Sequence, residues 1–210
     1  MAGGVALNCV SNGRLAREGP FKDIWIQPAA GDAGGAIGCA MVVHHSESSQ
    51  PRKINQKDNM KGSYLGPSYN NKIIEQQLDE YNANYDFVDD ELFFPMIAEI
   101  IANQNVVGWF QGRMEFGPRA LGGRSILGDP RNQNMQSNMN LKIKYRESFR
   151  PFAPSILLEE VSEWFSQDHP SPYMLSVAQV KQEKRIAVGD NNKNLFGLEM
   201  LNTPRSQVPA

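Results

Sequence analysis

The chain has 210 residues, 40% hydrophobic and 21% charged, with 21 Lys+Arg against 23 Asp+Glu and a formal net charge of −2. That is ordinary globular composition, with enough apolar material for one or two modest cores. It contains no run of about 18 apolar residues, and "MAGGVALNCV" lacks a basic region followed by an apolar one, so a soluble, cytoplasmic protein without a membrane span is expected.

In chain order, "GGVALNCVSNGRLARE" reads as a glycine-led turn entering a helix of about 12 residues. "DIWIQPAA" alternates and ends at a proline, which predicts a short strand. "GDAGGAIGCAMVVHH" puts Asp32 at a helix N-cap, followed by small residues that permit close backbone approach. Cys9 and Cys39 lie in apolar stretches and are expected as small buried residues. Residues 46–70, polar and broken by Pro and Gly, form the best linker. "NKIIEQQLDEYN" and "ELFFPMIAEIIANQ" carry helical spacing, the second with Pro95 near its start. "NVVGWFQGR" reads as a buried strand delivering Arg113, and "GRSILGDPR" as a second strand. A polar helix, "NQNMQSNMNLKIKYRE", a third strand, "FRPFAPSILLE", and a short helix, "EEVSEWFSQ", follow. From residue 185 no period is clear. Alternating strands and helices predict an α/β fold.

Charge is unevenly distributed. Residues 113–150 hold eight Lys/Arg against three acids, a local balance of +5, while the remainder carries 13 basic and 20 acidic residues, a balance of −7. Such focusing favours a compact anion and argues against a general nucleic-acid coat. Its centre is "QGRMEFGPRALGGRSILGDPR", residues 111–131, with four arginines among five glycines. Arginine grips phosphate or carboxylate oxygens bidentately, and glycine lets backbone N–H groups approach the same anion. Glu115 and Asp129 are the only acids in this stretch, so the four arginines cannot all be paired locally. Three readings stay open: arginines that tie loops together, a phosphate or nucleotide site, and RNA binding, for which Trp109, Phe110 and Phe116 supply aromatics.

"GRMEFGPRALGGRSILGDPR", "LKIKYRESFRPFAPSIL", "GGVALNCVSNGRL", "IQPAAGDAGGAIGCA" and "YLGPSY" together closely resemble the O-carbamoyltransferases of antibiotic and nodulation-factor biosynthesis. The match covers most of residues 3–180 in the family's order. The resemblance implies the end portion of an ASKHA-type (actin-like) domain over residues 1–62 with its linker. A YrdC-like twisted-sheet domain, truncated, would follow over 63–210. It also implies an ATP-dependent enzyme that converts carbamoyl phosphate to carbamoyl adenylate and transfers the carbamoyl group to an acceptor hydroxyl.

On that resemblance the candidate catalytic set around carbamoyl phosphate and the nucleotide phosphates is Arg113, Arg119, Arg124, Lys144 and Arg150, with Arg146 beside it. Gly3, Gly4 and Asn8 match a nucleotide-contacting turn, and Gly34 and Gly35 match a turn approaching the phosphates. Asp32 matches a ligand for a divalent metal, iron or magnesium, although it also suits a plain N-cap. The family's paired histidines, four positions apart, have no counterpart, since His44 and His45 are adjacent and His169 is remote. The chain accordingly reads as an internal segment of a longer enzyme, inactive alone, with a broken sheet edge that predicts self-association. The alternative is a non-catalytic anion- or RNA-binding module of the same fold.

Overall fold

The structure, a computed structural model, describes residues 1–48, 54, 58–187, 189, 195, 197–200 and 203–207. Most of the linker's most polar part, 49–57, and parts of the stretch after 185 therefore lie outside the described residues.

Gly3, at φ +91°, admits a backbone shape that other residues resist, and a single 3-10 turn follows at Gly4–Leu7. Asn8 then caps helix α1 (Cys9–Glu18), its side chain accepting from the Ser11 N–H. Helix α2 (Asp32–Glu47) begins differently: Gly31 is its N-cap and Asp32 is the first helical residue, with no side-chain cap bond. Asp32 is thus not the expected cap, although its charge still suits the helix N-terminus. Helix α3 (Asn71–Glu80) is capped by Asn70, which accepts from the Ile73 N–H. Helix α4 (Asp90–Ala102) tolerates Pro95 in its second turn.

Strands β1 (Val107–Phe110) and β2 (Arg124–Leu127) pair into a two-stranded sheet. Gln111, just past β1, donates to the carbonyl of Gly123, just before β2, so the strands run in opposite directions. Helix α5 (Met135–Asn138) passes into a π turn over Met139–Ile143, and α6 (Val161–Trp164) follows a 3-10 turn at Leu158–Glu160. The architecture is α/β with a small sheet.

Two predicted strands do not form. Residues 23–27 form no strand and residue 28 opens a turn; the Gln27 N–H reaches the Met1 carbonyl without a ladder. Residues 149–157 also lack strand structure, because Pro151 and Pro154 supply no N–H to a ladder. The predicted polar helix shortens at the π turn. Cys39 is exposed and Cys9 only half-buried, so neither is the buried residue expected. Phe110 is 60% exposed rather than buried, and the Arg124 guanidinium lies over one part of it, 3.3 Å from the ring centroid.

Contacts divide the chain into two units. The first comprises the described residues of Met1–Tyr85 with Trp109–Ser125 and Ser171–Val177; the second holds Asp86–Gly108, Ile126–Pro170 and the described residues from Ala178 onward.

In the first unit the buried apolar residues are small: Ala6, Ala29 and Ala30, with Leu175. Fully buried Asn12 ties them together, its Nδ2 donating to the Ala6 and Leu175 carbonyls at 2.8 Å each. In the second unit Met135 and Met139 close over Gly128, where a Cβ would come within 2.8 Å of the Met135 sulfur.

Candidate functional site

The first unit gathers three loops that are far apart in sequence. The Gly3 N–H donates to the Ala30 carbonyl at 2.6 Å, joining the opening turn to the loop before α2. A Cβ at Gly117, φ +123°, would stand 3.0 Å from that of Ala29, so the 113–124 loop approaches the same place. Arg119 completes the junction: its Nη2 donates to the Leu7 carbonyl at 2.9 Å. The structure therefore brings Arg119 together with the Gly3–Asn8 turn and the turn carrying Asp32, Gly34 and Gly35.

The glycines have separable duties. A Cβ at Gly34 would lie 2.2 Å from the Ala29 carbonyl oxygen, a clash with backbone that requires glycine for packing. At Gly4 and Gly35 it would meet nothing within 4 Å. The Gly34 and Gly35 N–H groups donate to the carbonyls of Ala29 and Gly31. Asn8 spends its side-chain oxygen on the cap of α1.

The arginines of this unit rest on carbonyls. Arg113 donates to Gly66 at 2.9 Å, and Arg124 reaches the carbonyls of Gln111, Gly112 and Gly123 while covering Phe110. Arg124 matches the loop-tying reading best. Arg119 differs, because its buried Nε has no hydrogen-bond partner among the described residues. A buried guanidinium N–H left unpaired is costly, so this donor calls for a water or an external acceptor.

Glu115 pairs with none of these arginines among the described residues. Only 8% exposed, it turns one carboxylate oxygen onto the backbone N–H groups of Leu121 and Gly123, at 2.7 Å each, and Arg124 at 3.3 Å. Burial pushes its carboxyl upward, but those backbone donors together outweigh it and hold it below the usual carboxylate range. The glycine-rich N–H groups expected to meet an external anion thus already hold an internal one. Its position ahead of a Gly-Gly pair was the available sequence signal.

Nearby, Asp58 accepts from the Met60 and Gly62 N–H groups and from the Tyr173 hydroxyl. Burial, then the neighbouring carboxylate, pushes the Tyr173 phenol up to about 12.

Lys144 and Arg150 belong to the second unit. Arg150 donates to Glu147 at 2.8 Å, and Arg131 makes a two-pronged contact with Asp129. Fully buried Asn140 organises the turn: its amide donates to the Ser148 and Arg150 carbonyls, and its oxygen accepts from Arg146. Arg146 also lies over Phe152. Lys144 is exposed and makes no ion pair among the described residues. An open cavity of about 530 Å³ is lined by Leu141, Tyr145, Arg146 and Glu147.

Among the described residues no three His, Cys, Asp or Glu side chains form a coordinating group. Asp32 stands at the start of α2 and His44 and His45 in its last turn, about 18 Å apart along the axis at 1.5 Å per residue.

No helix among the described residues is long and apolar enough to cross a membrane.

Comparison with known proteins brings in two families. Residues 98–205 match the one described as "Carbamoyltransferase C-terminus", and residues 1–41 match "Carbamoyltransferase N-terminus". An uncharacterized protein of Synechocystis sp., sll1178, is 63% identical over 100% of this chain and 34% of its own length. Nodulation protein NolO of Bradyrhizobium diazoefficiens is 42% identical over 90% of this chain and 34% of its own. Nodulation protein U of Rhizobium fredii is 34% identical over 90% of this chain and 30% of its own. The chain spans about a third of the length of these relatives.

Proposed function

The chain belongs to the carbamoyltransferase family, and on that premise we propose that the whole protein is an ATP-dependent O-carbamoyltransferase. Carbamoyl phosphate and one water give carbamate and phosphate. A carbamate oxygen attacks the α-phosphorus of ATP, pyrophosphate leaves, and carbamoyl adenylate forms. An acceptor hydroxyl then attacks the carbamoyl carbon, its proton passing to solvent, and AMP departs with the bonding pair of the broken C–O bond.

One observation supports a phosphate site in the first unit: Arg113, Arg119 and Arg124 are held by carbonyls and make no ion pair among the described residues, so their charge is not cancelled. Fixed cations of this kind stabilise a departing phosphate without reorganising solvent. We assign Arg113 and Arg119 of the first unit to phosphate oxygens, assign Lys144 of the second unit separately to an anion, give Arg124 the task of holding the loop, and assign no phosphate to Arg150, whose charge Glu147 offsets. Gly3, Gly4, Asn8, Gly34 and Gly35 are assigned to the nucleotide's surroundings, through the shape of the two turns that meet at Arg119. No step is assigned to a metal at Asp32.

The finer fold assignment, an ASKHA-type end portion over residues 1–62 and a YrdC-like domain over 63–210, belongs to the same proposal. The order of the two family matches supports it. Exposed Met41, Val42 and Val43 on α2 support self-association. The test is pyrophosphate release from ATP with carbamoyl phosphate by the full-length protein; a protein inert under those conditions overturns the reading.

A second reading, a non-catalytic RNA-binding module, is favoured by one feature. Tyr145 is 86% exposed beside Lys142 and Lys144, with exposed Phe149 nearby in sequence. Filter binding to tRNA with a salt slope of several phosphates would favour it.

A further inference from the structure

A carboxylate among arginines ordinarily pairs with one of them. Glu115 instead sits where Leu121, Gly123 and Arg124 turn their N–H groups toward a single point, and fills it. The loop is built around that contact. Gly122 adopts φ +110°, and a Cβ at Gly123 would fall 2.7 Å from the Arg113 carbonyl oxygen and 3.1 Å from the Glu115 carboxylate. The Tyr64 hydroxyl donates to the Leu121 carbonyl at 2.5 Å, closing the turn from the other side. Between Glu115 and this turn lie Phe116–Ala120, and Arg119 is in that span. Two pins, Glu115 on the turn and Arg119 on Leu7, thereby define the loop.

We propose that Glu115 is a positioning residue: its carboxylate, bound to the Leu121–Arg124 backbone, holds the loop in the shape that presents Arg119 to the phosphate group of its ligand. Glu115 acts through the backbone and touches no substrate. The inference rests on the reading that Arg119 meets phosphate.

The experiment is a double-mutant cycle in the full-length protein, with Glu115→Ala, Glu115→Asp, Glu115→Gln, Arg119→Ala and Glu115→Ala/Arg119→Ala. Readouts are amide hydrogen exchange at Leu121, Gly123 and Arg124, ATP affinity by calorimetry, and pyrophosphate release. Glu115→Ala is expected to speed exchange at those amides and to weaken ATP binding about as much as Arg119→Ala. The double variant should be no weaker than Arg119→Ala alone, because both changes remove one device. Glu115→Gln keeps an oxygen acceptor and should recover most of the affinity. Glu115→Asp keeps the charge but shortens the reach, so it should loosen the loop even where the alanine variant does not fold. Additive losses, or unchanged exchange in both Glu115→Ala and Glu115→Asp, overturn the proposal. ATP affinity insensitive to Arg119→Ala overturns it together with the reading of Arg119. Absent pyrophosphate release in a wild type that binds ATP through Arg119 overturns the carbamoyl chemistry alone, and the cycle is then read from affinity and exchange.

Discussion

Arg113, Arg119 and Arg124 lean on backbone carbonyls, whereas Arg131 and Arg150 lean on carboxylates. A carbonyl orients a guanidinium without cancelling its charge; a carboxylate does both. The contrast extends to the acids themselves. Asp129 is spent on Arg131, while Glu115, equally buried, is spent on backbone N–H groups and leaves the arginines around it unneutralised. The lesson is that a basic stretch presents usable positive charge only where its own acids are occupied elsewhere.

The hardest test of that contrast is to remove one arginine from each class. Arg119→Ala in the full-length protein should lower pyrophosphate release from ATP with carbamoyl phosphate by about a hundredfold or more. Arg131→Ala should leave the rate within the same order of magnitude. Equal losses would erase the distinction.

Asn140→Ala comes next, because that buried amide satisfies two carbonyls and Arg146 at once. Urea denaturation should register a loss of about 2–3 kcal/mol from the groups left unpaired. A change below about 0.5 kcal/mol would mean that water replaces the amide and that the turn does not depend on it.

The two glycines of the α2 turn sharpen the comparison further. Gly34→Ala drives a Cβ into the Ala29 carbonyl oxygen and should cost about 2 kcal/mol. Gly35→Ala enters open space inside a helix and should stabilise by about 0.5–1 kcal/mol. If Gly35 approaches a phosphate, the same variant should weaken ATP binding while raising the melting temperature.

The smallest expected effect concerns acid. Hydrogen bonding from Arg131 holds the Asp129 carboxyl below its ordinary value. A depressed carboxylate contributes stability that is present above its unfolded value, about 3.9, and is lost as pH falls through the lower folded value. Arg131→Ala should therefore raise the Asp129 titration midpoint, followed by its carboxyl-carbon shift, and bring acid unfolding of the second unit to higher pH. No movement of the midpoint would show that the pair is not formed in solution.

Much of the local structure was legible beforehand. The apolar spacing of α1, α3 and α4 and the β-branched run of β1 are nearest-neighbour properties, whereas the one cap expected, Asp32, is taken by Gly31. Two strands were misread at "DIWIQPAA" and "FRPFAPSILLE", because alternation alone does not supply a pairing partner and proline removes ladder donors. Phe110 was expected inside and lies outside under Arg124, a contact between residues fourteen apart. At the candidate site the motifs pointed to Arg119 and the glycine turns; that these meet one another, and that Glu115 fills the Leu121–Arg124 nest, was not readable from spacing.

The sequence by itself determined the helical spacing of α1, α3 and α4, the two strand segments, the family and the surplus of positive charge between residues 113 and 150, since these depend on local pattern and composition. Only the tertiary structure decided which arginines keep that charge. Their partners, the Leu7 and Gly66 carbonyls for Arg119 and Arg113, are 112 and 47 residues away in the chain, and hydrogen bonds at such separations exist only once the loops have been brought together.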